Sequence, residues 1–132
     1  MAKIVNRMNK KITYTIIDTP LFCCIQWLYL ASILGEDKIN IITHSQAPII
    51  EEKINILPLG LLTRRKVKVD LFIATWSLSE SSKLAQDYVH SIDFFGAKHL
   101  LVAFQESSES LPDAYRIKDI LAARGATIQA ID

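Results

Sequence analysis

Apolar and polar positions alternate in blocks along this chain, and their spacing predicts strand and helix in turn. Ile12 to Asp18, ITYTIID, mixes β-branched and aromatic residues and closes on a carboxylate, the pattern of a parallel strand that ends at a binding crevice. A helix follows. Thr19 is placed to act as its N-cap, Pro20 as its first residue and Gly35 as its stop. Phe22, Ile25, Trp27, Leu28, Leu30, Ile33 and Leu34 run around most of its circumference, which predicts a largely buried helix. Trp27 and Tyr29 then read as core or subunit-contact residues rather than cofactor contacts.

Two similar hexapeptides come next, DKINII at 37–42 and EKINIL at 52–57, and both read as short strands. Thr43, His44, Ser45 and Gln46 fall in the connection between them. The stretch VDLFIATWSLSE, Val69 to Glu80, is an apolar run that predicts a strand buried on both faces, ending in Trp76, Ser77, Ser79 and Glu80. Ser79 or Ser81 can cap a following helix whose apolar face is Leu84, Ala85, Tyr88, Val89, Ile92 and Phe95, stopped by Gly96. AKHLLVAFQE predicts a second doubly buried strand that ends in Gln105 and Glu106. A polar loop, SSESLPDA, leads to a helix with Tyr115, Ile117, Ile120 and Leu121 inward. Gly125 ends that helix, and ATIQAID at 126–132 reads as a last strand. The first eleven residues resemble the tail of a helix, with Ile4, Val5 and Met8 on one face. Strand and helix alternating at these lengths predict a doubly wound α/β layer with a mostly parallel, Rossmann-like sheet.

Composition changes this picture little. Residues 1–132 fit a single domain, and a half-apolar composition supplies material for a core. The net charge of +1 hides two basic clusters, Lys3, Arg7, Lys10 and Lys11, and Arg64, Arg65, Lys66 and Lys68. Neither is interleaved with aromatic residues, so both read as solvated surface and no nucleic-acid partner is expected. Cys23 and Cys24 are adjacent, which excludes an ordinary disulfide between them and offers no metal-ligand spacing. They read as small core residues of a reducing compartment. The longest apolar run, Leu21 to Leu34, is shorter than the ~20 residues that span a bilayer. A cytoplasmic chain with no membrane partner is the expectation.

The chemistry sits at the strand ends. The four glycines are isolated and none forms a nucleotide or nucleophile loop. Asp18 suits a ribose diol, because a carboxylate accepts two donors side by side; it equally suits the start of the Pro20 helix, where the N-terminal dipole favours an acid. Ser79 with Glu80 has a comparable structural reading, a serine cap followed by a first-turn acid. His44, His90 and His99 carry no spacing that ties them to a serine or to a metal, and no metal is expected.

IIDTP (Ile16 to Pro20), the Gln26 to Leu30 helix segment, INILP (Ile54 to Pro58), DLFIATWSLSE (Asp70 to Glu80) and HLLVAFQ (His99 to Gln105) together resemble the sugar O-methyltransferases. That resemblance implies a class I methyltransferase that uses S-adenosylmethionine. Residues 12–17 would be its second strand, 54–57 the third, 69–75 the fourth, 98–104 the fifth and 126–131 the sixth. It implies Asp18 and Trp76 as cofactor-binding residues, Ser79 and Gln105 as substrate-binding residues bordering the acceptor, and Glu80 as the base for a sugar hydroxyl, with His44 a distant second. The substrate would be a sugar or glycan precursor.

The family's first strand and glycine-rich loop have no counterpart among these residues, so the expectation is a single partial domain, 1–132, the carboxyl-terminal portion of such an enzyme and inactive alone. Without that central strand, the second and fourth strands should pair directly or borrow an edge from another copy, giving a homo-oligomer through exposed sheet edges. The competing reading is a non-catalytic α/β binding or self-assembly module.

Overall fold

A computed structural model describes residues 1–7 and 11–130, with the backbone alone for Val5 and Asn6. The face shared by Ile4, Val5 and Met8, the Lys10 member of the first basic cluster and the last two residues of ATIQAID therefore lie outside the described residues or side chains. The chain divides into two compact units, Met1–Lys66 and Val67–Asp132. Among the described residues, no helix is long and apolar enough to cross a membrane.

The first unit opens with α1 (Ala2–Arg7) and continues through β1 (Tyr14–Asp18), α2 (Pro20–Leu34), a single 3-10 turn, β2 (Ile39–Ile41), β3 (Ile54–Pro58) and α3 (Leu59–Leu62). Its three strands lie in the order β1-β3-β2, all parallel. The two hexapeptides become neighbouring strands in register, Asn40 beside Asn55. Asn40 Nδ2 donates to Asn55 Oδ1 at 2.8 Å and to the Pro48 carbonyl at 2.9 Å. Asn55 is fully buried, accepts from the Ile50 N–H and donates to the carbonyls of Ile50 and Lys53. Every donor and acceptor of a buried amide is thereby matched, and the loop between the strands is pinned from within.

α2 has the bounds its capping residues predict, with Pro20 first and Gly35 at φ 92° just past the end. It lays Cys23, Leu30, Trp27, Ala31 and Leu34 against Tyr14, Ile16, Ile39, Ile54 and Ile56 on one face of the sheet. The expectation of a largely buried helix is corrected: only Cys23 and Leu30 are buried, while Leu21, Phe22, Ile25, Leu28, Tyr29 and Ile33 are exposed. One helix on one sheet face can bury only the stripe that meets the strands. Cys24, on the outward side, is likewise exposed.

The second unit holds β4 (Leu71–Thr75), α4 (Lys83–Ser91), a short turn α5 (Asp93–Gly96), β5 (His99–Ala103) and α6 (Tyr115–Ala123). β4 and β5 form a parallel pair, Ile73 beside Leu101. Phe72, Ala74, Leu100, Val102 and Phe104 pack with Leu78, Phe94, Ile117 and Leu121. The opposite face is open, with Leu71 and Leu101 exposed, so neither strand is buried on both sides as expected. A ladder follows the predicted strands, but helices cover it from one side.

Several details of this unit differ from the sequence expectation. The cap of α4 is Ser82, whose hydroxyl accepts from the Ala85 N–H, not Ser79 or Ser81. Ala85, Tyr88 and Val89 are partly buried as the stripe predicts and Gln86 is buried, but Leu84 is exposed, and the chain leaves the helix before Ile92 and Phe95. Asp93, Phe94, Phe95 and Gly96 all take positive φ, and this left-handed turn swings both phenylalanines into the core. Tyr115, expected inward, is exposed at the start of α6, and residues 126–130 are irregular rather than a strand.

Among the described residues, β1 ladders only to β3 and β4 only to β5. Each is an edge strand of the sheet within its own unit.

Candidate functional site

In the first unit the candidate group is Asp18, the last residue of β1. Its side chain turns back over the start of α2. Oδ1 accepts the Thr19 N–H at 2.7 Å, and Oδ2 accepts Gln26 Nε2 at 2.6 Å. The Asp18 carbonyl also accepts the Cys23 thiol at 3.4 Å. Gln26 was visible in sequence only as an amide interrupting an apolar helix, and its spacing from Asp18 places it two helical turns in, facing the strand end. Burial pushes the Cys23 thiol up from its ordinary range, as does the neighbouring Asp18 charge. Asp18 therefore serves the helix start and the Gln26 contact together. One lone-pair site on each carboxylate oxygen remains for a further donor.

In the second unit, Trp76, Ser79, Glu80 and Gln105 come together at the carboxyl ends of β4 and β5. The Trp76 N–H donates to the Ala103 carbonyl at 2.7 Å, closing the ladder. Trp76 itself has φ 64°, a left-handed conformation that costs a bulky residue roughly 1–3 kcal/mol and persists only where the surroundings impose it. The surroundings do so. The Trp76 carbonyl accepts the Ser79 hydroxyl at 2.8 Å and the Glu80 N–H at 3.0 Å. Ser79 is buried, and its oxygen also accepts the Gln105 N–H at 3.4 Å.

Ser79 thus ties the two strand ends to each other, and its hydroxyl is spent on that task. The indole of Trp76, by contrast, is half exposed. Glu80 and the Gln105 side chain are exposed as well, and no hydrogen bond holds either side chain among the described residues. An exposed indole face at a strand end suits a flat or cationic ligand group.

Gln86 is a residue the sequence pattern did not single out. It is buried in the first turn of α4 and donates from Nε2 to the Ser81 carbonyl, while no donor reaches its Oε1 among the described residues. Just past Gln105 the chain borders a shallow cleft of about 270 Å³ lined by Glu106, Ser107, Tyr115, Lys118 and Asp119. That is below the ~300–1,000 Å³ of a small-molecule site. His44 is exposed in its loop, and no group of three metal-ligating side chains occurs among the described residues.

These features define an α/β protein of small parallel sheets flanked by helices, with polar and aromatic groups at the carboxyl ends of its strands. Comparison with known proteins adds no relative: no family model, no curated protein and no solved structure matches the chain significantly.

Proposed function

We propose that this chain is a portion of an S-adenosylmethionine-dependent methyltransferase acting on the hydroxyl of a sugar or glycan precursor, with an incomplete doubly wound sheet as its scaffold. The observation that carries the reading is the strand-end arrangement. Asp18 closes β1 and retains acceptor capacity, and Trp76, held in a strained conformation by Ser79, presents a half-exposed ring where β4 ends. In open parallel sheets, ligands gather at that end. The parallel neighbours β1–β3 and β4–β5 are also the pairings that successive strands of such a sheet would form.

In this reading Asp18 would hold the ribose diol at the strand end of the first unit, and, within the second unit taken by itself, Trp76 would offer its π face to a cationic group. The cofactor, when bound, supplies the methyl group as a sulfonium. Gln105 would border the acceptor, and Glu80 would take the hydroxyl proton as the methyl group arrives. Glu80 is solvated, so its work as a base depends on the acceptor itself excluding water from the carboxylate. Ser79 acts through Trp76 and the Gln105 backbone rather than by direct contact.

Calorimetric titration with S-adenosylmethionine tests the reading. Where binding is saturable, Asp18→Ala should weaken it at least about tenfold with unchanged circular dichroism. Binding unaffected by both Asp18→Ala and Trp76→Ala would refute it. A second reading, an α/β module that binds or self-assembles without catalysis, draws on the edge positions of β1 and β4 in their own sheets and on the shallow cleft. Absence of any cofactor binding would favour it.

A further inference from the structure

The outward face of α2 is the largest unpartnered apolar feature of the first unit. Leu21, Phe22, Ile25, Leu28, Tyr29 and Ile33 line it, with exposures from 39% at Ile33 to 68% at Leu21. Their spacing of three, four and one keeps them on a single stripe opposite the buried Cys23 and Leu30. Together they leave on the order of 600 Å² of residue surface open, at the upper end of the ~300–600 Å² of a typical monomer's largest apolar patch.

The stripe is built to be dried. No charged residue occurs between Pro20 and Leu34. Ser32 lies in its middle, and its hydroxyl is already satisfied by the Tyr29 carbonyl at 2.8 Å. Covering this face therefore strands no buried charge and leaves the serine paired.

We infer that this face pairs with α2 of a second copy of the chain, forming a two-fold dimer. The area supports that occupant: each partner of a standard interface buries about 800 Å², and the six side chains supply most of it, with Ser32 among them and Cys24 at the rim adding to it. An uncharged stripe carries no sign by which to select an oppositely charged partner, whereas an isologous contact needs only that the surface complement itself. A lipid surface fits less well, because helices that lie on membranes carry Lys or Arg along their polar flanks and α2 has neither. The contact is independent of the proposed methyltransferase site and of the sheet edges.

Sedimentation of the 14.9 kDa chain tests the inference. Wild type should sediment at twice that mass at micromolar concentrations. Leu28→Glu and Leu28→Lys should each weaken self-association at least about tenfold with unchanged circular dichroism, while Leu84→Glu, on the exposed side of α4, leaves the dimer intact. A monomeric wild type overturns the inference, including one that co-sediments with anionic phosphatidylserine vesicles. A dimer unmoved by both Leu28 variants overturns it too. So does loss of fold in both, which would place Leu28 in a core rather than on a free face.

Discussion

Asn55 offers the sharpest test of how the first unit is held together. Its side chain is fully buried, and four hydrogen bonds meet there: from Ile50 N–H and Asn40 Nδ2 to Oδ1, and from Nδ2 to the carbonyls of Ile50 and Lys53. Asn55→Ala removes all four and leaves their partners behind. A neutral hydrogen bond contributes about 1 kcal/mol net, and a buried group left unsatisfied costs about 1–3 kcal/mol. Ile50 and Lys53 are only partly buried, so water can recover some of the loss. The expected destabilisation is about 3 kcal/mol.

Asn40→Ala should cost less, about 1 kcal/mol, because it removes donors from Asn55 and Pro48 but strands no buried backbone N–H. The double variant should show a coupling of roughly 1 kcal/mol for the pair in contact. Urea unfolding followed by Trp27 fluorescence in a Trp76→Phe background isolates this unit, since Trp27 packs in its core. A shift in Asn55→Ala of less than about 1 kcal/mol at unchanged m would refute the argument that this amide pins the loop.

Arg124 donates to the buried Ala97 carbonyl at 2.7 Å, lies 5.3 Å over the Phe94 ring and pairs with Asp93. Arg124→Ala should therefore destabilise the second unit by about 2 kcal/mol in urea unfolding, mostly by orphaning Ala97 and exposing the strain of the left-handed turn, since the exposed Asp93 pair contributes little. Arg124→Lys recovering the whole loss would refute a role for the planar guanidinium.

Burial pushes the pKa of Cys23 and of Tyr14 up from their ordinary 9.0 and 10.0. The unfolded chain then releases these protons first, so stability is fully present below about pH 9 and falls as pH rises through the folded values. Urea midpoints measured from pH 8 to pH 11 should decline, and a flat profile would count against the burial of both groups. In the native chain a thiol reagent should label the exposed Cys24 quickly and Cys23 only on unfolding.

How much of this was legible in advance depends on the kind of information. Element identity and several boundaries came from local chemistry. Thr19, Pro20 and Gly35 delimit α2 without reference to any contact, and the repeated INI segments foretold two strands that turned out to be neighbours. The strand ends at Asp18 and Trp76 were readable for the same reason, because an apolar run that stops at polar residues marks its own limit.

What was not legible depends on partners. Apolar residues around α2 and along β4 and β5 predict that something covers every face, yet the fold of these residues covers one face of each. Sequence period reports that a side chain is apolar; which side meets a neighbour is decided when sheets and helices pack. The left-handed run at Asp93–Gly96 has no local signature beyond its final glycine, so the inward turn of Phe94 and Phe95, and with it the outward turn of Leu84, emerged only from tertiary packing and the Arg124 contacts.

Ser79 and Gln26 make the same point at the candidate sites. Each looked like a residue of its own segment, a cap in one case and an interruption in the other. Their partners, the Gln105 backbone 26 residues away and the Asp18 carboxylate at the end of the preceding strand, are brought within reach by the fold. The sequence alone determined which segments form and where chemistry collects along them. Tertiary structure decided which polar groups are spent on holding strand ends together and which remain exposed, because that division rests on distances between residues far apart in the chain.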